Sequence, residues 1–78
     1  MIDLPAMAPP VKRSVTIDGH RTSVSLEDAF WQGIDDAAKA RGVTRARLIG
    51  EIDHARPPKV GLATALRLFV AAELQRRG

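Results

Sequence analysis

Arginine and serine side chains that alternate with apolar residues give this chain its clearest chemical pattern. Arg21, Ser23 and Ser25 occupy every second position of a short segment, with Val24 between the serines and Leu26 after them. An arginine can bind two acceptors at once, and a serine hydroxyl can donate or accept, so this row can form several hydrogen bonds to a polar partner. The alternation predicts a strand with one polar and one apolar face.

The remaining reactive side chains do not form a catalytic or metal-binding pattern. His20 and His54 are far apart in the sequence, and the chain has no cysteine, so the usual zinc spacings are missing. His54 has no recognisable nucleophile partner, and there is no glycine-rich phosphate loop or paired-carboxylate spacing. We therefore expect no enzymatic activity, no metal and no cofactor.

The size of the chain favours a single domain that associates with a second copy. We expect residues 1–11, which are rich in proline, to form a flexible arm, and residues 12–78 to form the domain. A core built from so few residues rarely contributes more than about 3–5 kcal/mol, and disulfides and metals are excluded, so we expect a homodimer. The N-terminal residues do not show a cationic segment followed by an apolar one, and no apolar run approaches the ~18 residues of a membrane span, so we expect a cytoplasmic protein.

Two strands and a tight turn are predicted near the N-terminus. Residues 12–17 and 21–26 both alternate with period two, and the turn dipeptide Asp18-Gly19 lies between them. The local prediction is a hairpin with one apolar face and one face of small polar side chains. Such a hairpin is only marginally stable alone, so helices must cover its apolar face.

The first predicted helix covers residues 26–41. Ser25 is its expected N-cap, Asp28 completes a capping box, and Gly42 ends it. Trp31 is expected to point about 100° away from Phe30. We expect its side chain to pack at the dimer interface or against the third helix, with a partner-binding patch as the alternative. The apolar stripe of this helix is predicted to contain Leu26, Phe30, Ile34, Ala37 and Ala38.

Two further helices are predicted. The second begins at the cap Thr44 and ends before Pro57, and its apolar face consists of Leu48, Ile49 and Ile52. The third begins at Leu62, and its apolar side is predicted to contain Leu62, Leu66, Phe69, Val70 and Leu74.

Positive charge is concentrated in two parts of the sequence, although the net charge is only +3. One cluster belongs to the hairpin, and the other follows the first helix. Such a polarity suits binding to a polyanion. The two clusters consist of Lys12, Arg13 and Arg21, and of Arg41, Arg45 and Arg47.

The succession of strand, helix, glycine-containing turn and helix resembles the bacterial ribbon-helix-helix DNA-binding domains. The resemblance lies in TSVSLEDAFWQGIDDAAKARGVTRARLIGEI, residues 22–52. It is closest to small bacterial proteins that open with a KRSV-type strand and carry GHRTSVSLE before a Phe-Trp pair. The expected fold is mainly α with a short β ribbon: a β-hairpin followed by three helices, in a homodimer.

The resemblance implies that the dimer inserts its ribbon into the major groove of double-stranded DNA. The base-facing positions would be Arg21, Ser23 and Ser25, and a phosphate would be held at the start of the second helix by Val43, Thr44 and Arg45. The implied function is that of a small transcriptional regulator or an antitoxin.

Two features differ from the usual subunit of that family, namely the strand at residues 12–17 and the third helix. Four strands at ~4.8 Å spacing would span roughly 14 Å, whereas the major groove is about 12 Å wide. The alternative function is therefore a protein–protein interaction module on the same dimer scaffold that has lost DNA binding. Its protein partner would be bound through Trp31 and the C-terminal helix.

Overall fold

A computed structural model describes residues 1–77 of the chain. It shows a two-stranded antiparallel ribbon covered by three helices. Residues 1–10 contain no helix or strand. This architecture confirms the expected β-hairpin followed by three helices. The elements are β1 (Val11–Ile17), β2 (His20–Leu26), α1 (Asp28–Arg41), α2 (Arg45–Ala55) and α3 (Leu62–Arg77).

The two-residue turn between the strands has the backbone conformation that its sequence predicts. Asp18 has a φ of 52° and Gly19 a φ of 79°. Two successive positive φ angles define the turn that matches the twist of a hairpin, and Asp-Gly adopts them at low cost. Ile17 then pairs with His20, and the register continues without a bulge to Val11 opposite Leu26.

The apolar face of the hairpin packs on all three helices. α2 lies against β1, and α3 and α1 lie against β2. Val24 and Leu26 of β2 are almost completely buried, as is Val15 of β1. The core of the described chain consists of Val15, Val24, Leu26, Trp31, Ile34, Ala37, Ala38, Leu48, Ile49, Leu66 and Val70.

The first helix begins later than predicted, and Ser25 is not its N-cap. Ser25 lies in β2 opposite Lys12, and Leu26 pairs with Val11 and is fully buried. Strand pairing and burial therefore outweigh the capping signal. Glu27 is the N-cap, and its side chain makes no capping hydrogen bond, because its carboxylate accepts from Arg67 Nε at 2.9 Å.

The connection between α1 and α2 is fixed by two local motifs. Gly42 has a φ of 68°, its N–H donates to Lys39 O at 3.1 Å, and the N–H of Val43 donates to Ala38 O at 3.0 Å. This pair of bonds is the Schellman motif that ends a helix. Thr44 Oγ1 then accepts from the N–H of Arg47 at 3.1 Å and caps α2, as predicted.

Trp31 is a core residue that holds β1 to α1. Its side chain is only 2 % exposed, and Nε1 donates to Val11 O at 2.9 Å. The guanidinium groups of Arg13 and Arg45 lie 5.5 Å and 5.3 Å from the centre of its ring. The predicted stripe leaves out Trp31, which packs beneath β1 and is buried more completely than the partly buried Phe30.

The third helix is buried over a shorter length than its sequence predicted. Leu66 and Val70 are buried, whereas Leu74 is 58 % exposed. Leu74 continues the row of Leu66 and Val70 by one more turn, so the buried part of this row ends at Val70. In the described part of the chain, no helix is long and apolar enough to cross a membrane.

We expect Gly33→Ala to destabilise the fold because α1 and α3 approach closely at this position. A Cβ at Gly33 would overlap Val70 Cγ1 and lie 3.2 Å from Cγ2. Overpacking a core contact costs about 1–3 kcal/mol, which exceeds the ~0.5–1 kcal/mol that alanine contributes to a helix. Urea denaturation should show a lower free energy of unfolding at an unchanged m-value.

Gly50→Ala is the matched control, since a Cβ at this helical glycine would meet nothing within 4 Å. It should stabilise the protein by about 0.5–1 kcal/mol. The Gly33→Ala penalty should also vanish in a Val70→Ala background, because the clashing methyl groups are then gone. Equal stabilisation by both glycine replacements would contradict the close approach of α1 and α3.

We expect the pair formed by His54 and Asp18 to make stability depend on pH. His54 Nε2 lies 2.6 Å from Asp18 Oδ2 and ties α2 to the hairpin turn. The hydrogen bond to Asp18 raises the pKa of His54, and the charge of Asp53 adds to the effect. The stabilisation is therefore complete below the ordinary pKa of 6.5 and is lost as the pH rises through the raised value.

Denaturation of wild type and His54→Gln across this pH range measures the contribution. The difference in unfolding free energy between them should shrink toward alkaline pH. A difference that stays constant with pH would show that the pair does not couple charge to folding.

Candidate nucleic-acid interface

The predicted base-facing residues lie together on the outer face of the hairpin. Arg21, Ser23 and Ser25 are all exposed, while the residues between and after them are partly or fully buried beneath the ribbon. The period of two thus places this row on the side of the sheet that points away from the helices.

β1 contributes a second row to the same face, which the sequence-based site did not include. The observed register sets three exposed residues of β1 directly opposite the three of β2. The alternation of Lys12, Ser14 and Thr16 with apolar or stacked residues in β1 is the sequence signal for this second row. We call the six side chains the polar ribbon face, and its cross-strand pairs are Lys12 and Ser25, Ser14 and Ser23, and Thr16 and Arg21.

Arg13 belongs to the opposite side of the hairpin. It pairs with Val24 in the register, and its guanidinium lies over the ring of Trp31. Its charge therefore supports the packing of Trp31 through a cation–π contact rather than extending the polar ribbon face.

Several arginines are used in ion pairs between helices. Arg45 Nε and Nη2 donate to the two carboxylate oxygens of Asp35, both at 2.7 Å, and this bidentate hydrogen bond lowers the pKa of Asp35 and raises that of Arg45. Arg67 lowers the pKa of Glu27 through its hydrogen bond. Glu73 has a lowered pKa because it accepts hydrogen bonds from Arg76 and from Arg41.

The cations of the polar ribbon face are not neutralised in this way. Within residues 1–77, neither Lys12 nor Arg21 takes part in a salt bridge, and the same holds for Arg47 in the first turn of α2. Arg47 and Thr16 line one shallow depression between α2 and the turn end of β1. These three charges therefore face solvent around the ribbon.

The start of α2 differs from the predicted phosphate site in two respects. The N–H of Val43 cannot hold a phosphate, because it donates to Ala38 O and completes the end of α1. The guanidinium of Arg45 is bound by Asp35 and lies over Trp31. Thr44 caps the helix as expected, and the backbone N–H groups of Arg45 and Ala46 are left without an intrahelical acceptor by helix geometry.

The surface expected to bind a protein partner does not include Trp31, because this side chain is buried and forms no exposed patch. The C-terminal helix does carry an apolar surface, where Leu68 is 63 % exposed beside a groove between α2 and α3. The groove is lined mainly by Ile52, Ala55, Pro57, Val60, Ala65 and Phe69.

Metal coordination finds no support in the described residues. No group of three or more His, Asp or Glu side chains within residues 1–77 is arranged to hold a metal ion. The arrangement that the structure offers is instead a polar, cationic ribbon over an apolar core, flanked by the N-terminus of a helix.

Comparison with known proteins supports the resemblance on which the site was predicted. No curated protein and no solved structure matches the chain. The family model described as the ribbon-helix-helix domain matches residues 10–74. Because this match covers both strands and nearly all of the three helices, the chain belongs to the ribbon-helix-helix domain family.

Proposed function

We propose that this protein binds double-stranded DNA as a homodimer in the bacterial cytoplasm and acts as a small transcriptional regulator or as an antitoxin. The observation that carries the proposal is the polar ribbon face, whose six side chains are all exposed and include two cations outside the salt bridges of residues 1–77. Membership of a family that generally forms DNA-binding dimers supports both parts of it.

The polar ribbon face has the chemistry that base recognition needs. Arg21 can donate two hydrogen bonds to the O6 and N7 acceptors of guanine, and Ser23 and Ser25 can serve as donors or acceptors to several bases. A two-stranded ribbon is narrow enough for the major groove. The set therefore favours one guanine strongly and reads its neighbours weakly.

Phosphate binding is proposed at the first turn of α2, with Thr44 and Arg45 acting through the helix terminus. The N–H groups of Arg45 and Ala46 point out of the helix start, where the helix dipole favours an anion. Arg47 adds an exposed guanidinium beside β1. The guanidinium of Arg45 has a different role, because its pair with Asp35 stabilises the α1–α2 junction.

Arg21→Ala should weaken binding to the specific duplex by about 1–3 kcal/mol and should relax specificity at one base pair. Arg47→Ala should weaken binding to all sequences and reduce the slope of log affinity against log salt by about one. Fluorescence anisotropy with labelled duplexes, including the DNA upstream of the protein's own gene, measures both effects at low and moderate salt.

Arg77→Ala is the charge-matched control, because Arg77 lies in the last turn of α3. It removes one positive charge and should change the affinity less than either ribbon-side variant. An Arg21→Ala protein that binds the specific duplex as tightly as Arg77→Ala would show that the polar ribbon face does not read the bases.

A second candidate function, binding to another protein, is favoured by the apolar groove beside Leu68. An exposed leucine next to an apolar groove is typical of a contact surface. This function would explain a wild-type protein that binds no duplex even at low salt. In that outcome the polar ribbon face would be only the solvated side of the sheet.

A further inference from the structure

We infer that Asp35 is a positioning residue that holds the guanidinium of Arg45 away from the DNA backbone and so limits the affinity of this protein for DNA. The inference rests on the proposed DNA binding and adds to it a residue that restrains the binding surface. Asp35 acts through Arg45, which is the first residue of α2.

The pair formed by Arg45 and Asp35 has the geometry in which an arginine binds a phosphate. Nε and Nη2 of Arg45 donate to Oδ1 and Oδ2 of Asp35, both at 2.7 Å. A guanidinium makes the same two parallel hydrogen bonds to a carboxylate and to a phosphate. The carboxylate of Asp35 therefore occupies the donors with which Arg45 would otherwise bind a backbone phosphate.

Arg45 lies where an additional cation would strengthen phosphate binding. It follows the cap Thr44 directly, at a helix start whose free N–H groups and dipole favour an anion. The side chain of Arg45 is 35 % exposed and that of Asp35 is 41 % exposed, so the pair lies at the surface and not inside the core. Loss of the carboxylate charge would thus free a cation beside the proposed phosphate position.

The surroundings of Asp35 keep it ionised and close to Arg45. The hydrogen bond from Arg45 lowers the pKa of Asp35, and the charge of Arg13 lowers it further. Trp31 precedes Asp35 by four positions in α1, and the guanidinium of Arg45 lies 5.3 Å from the centre of the Trp31 ring. Arg45 is therefore held by two side chains on one face of α1.

Arg47 shows what Arg45 would become without the carboxylate. Both arginines lie in the first turn of α2, but Arg45 is in a salt bridge, whereas Arg47 is in none within residues 1–77. Each cation that neutralises one phosphate steepens the salt dependence of binding by about 0.9, whatever the sequence of the duplex. Asp35 therefore restrains the sequence-independent part of the affinity.

Asp35→Asn removes the carboxylate charge at constant size, and Asp36→Asn is the matched control. Asp36 is exposed, accepts a hydrogen bond from Gln32 and takes part in no salt bridge within the described chain. We expect Asp35→Asn to bind a scrambled duplex about 3- to 10-fold more tightly than Asp36→Asn does at low salt. The slope of log affinity against log salt, measured by fluorescence anisotropy, should also become steeper by about one.

The double variant Asp35→Asn/Arg45→Ala identifies the group that causes the gain. The added affinity and the added slope should vanish in it, because the guanidinium that would bind the phosphate is gone. Thermal melting of Asp35→Asn should occur at a lower temperature than that of wild type, since a bond between α1 and α2 is weakened. A protein that was merely damaged would bind DNA less tightly, whereas this variant is expected to bind it more tightly.

Three outcomes would overturn the inference while leaving DNA binding intact. Equal gains from Asp35→Asn and Asp36→Asn would mark a general effect of net charge. A gain that persists in the double variant would show that Arg45 is not the group that Asp35 restrains. Weaker binding by Asp35→Asn would show that the pair only stabilises the fold. Failure of the wild type and of Asp35→Asn to bind any duplex, even at low salt, would instead contradict the proposed function and the inference with it.

Discussion

The hydrogen bond from the Trp31 indole to the Val11 carbonyl is the interaction on which the arrangement of ribbon and helices depends. It joins the first residue of β1 to the first turns of α1, and it does so inside the core, where an unpaired N–H is costly. The strands alone form a marginal hairpin, and the helices alone have no surface to cover. Burial of Trp31 between the two, with Arg13 and Arg45 stacked on its ring, sets the distance between them.

The charges of this small protein divide into two groups with different roles. One group pairs across elements: Arg45 with Asp35, Arg67 with Glu27, and Arg41 with Glu73. These partly exposed pairs contribute modest energy, but they fix the relative positions of the helices and of the end of β2. The other group, on the polar ribbon face and at Arg47, is left to solvent. The local field around the hairpin is therefore positive although the net charge is small.

Prediction from sequence succeeded where the decisive interactions are local. Asp18 and Gly19 specify the turn, Gly42 the end of α1, and Thr44 the start of α2, because each acts through bonds within a few residues. Prediction failed at the start of α1, since Ser25 is held in a strand by a neighbour distant in sequence. It also missed where Trp31 packs, because its hydrogen-bond acceptor and its stacking partners belong to other elements.

The sequence by itself determined which elements form and which sides the strand residues take, and hence the row formed by Arg21, Ser23 and Ser25, because a period of two fixes which residues share a side of a strand. The tertiary structure alone decided which cations remain available. Arg45 and Arg47 look equivalent in the sequence, yet Asp35 of the preceding helix binds the first and leaves the second exposed. The tertiary structure also brings the polar side chains of β1 and β2 together as one surface. The physical reason is that pairing between strands and between charges depends on distances that only the packed chain defines.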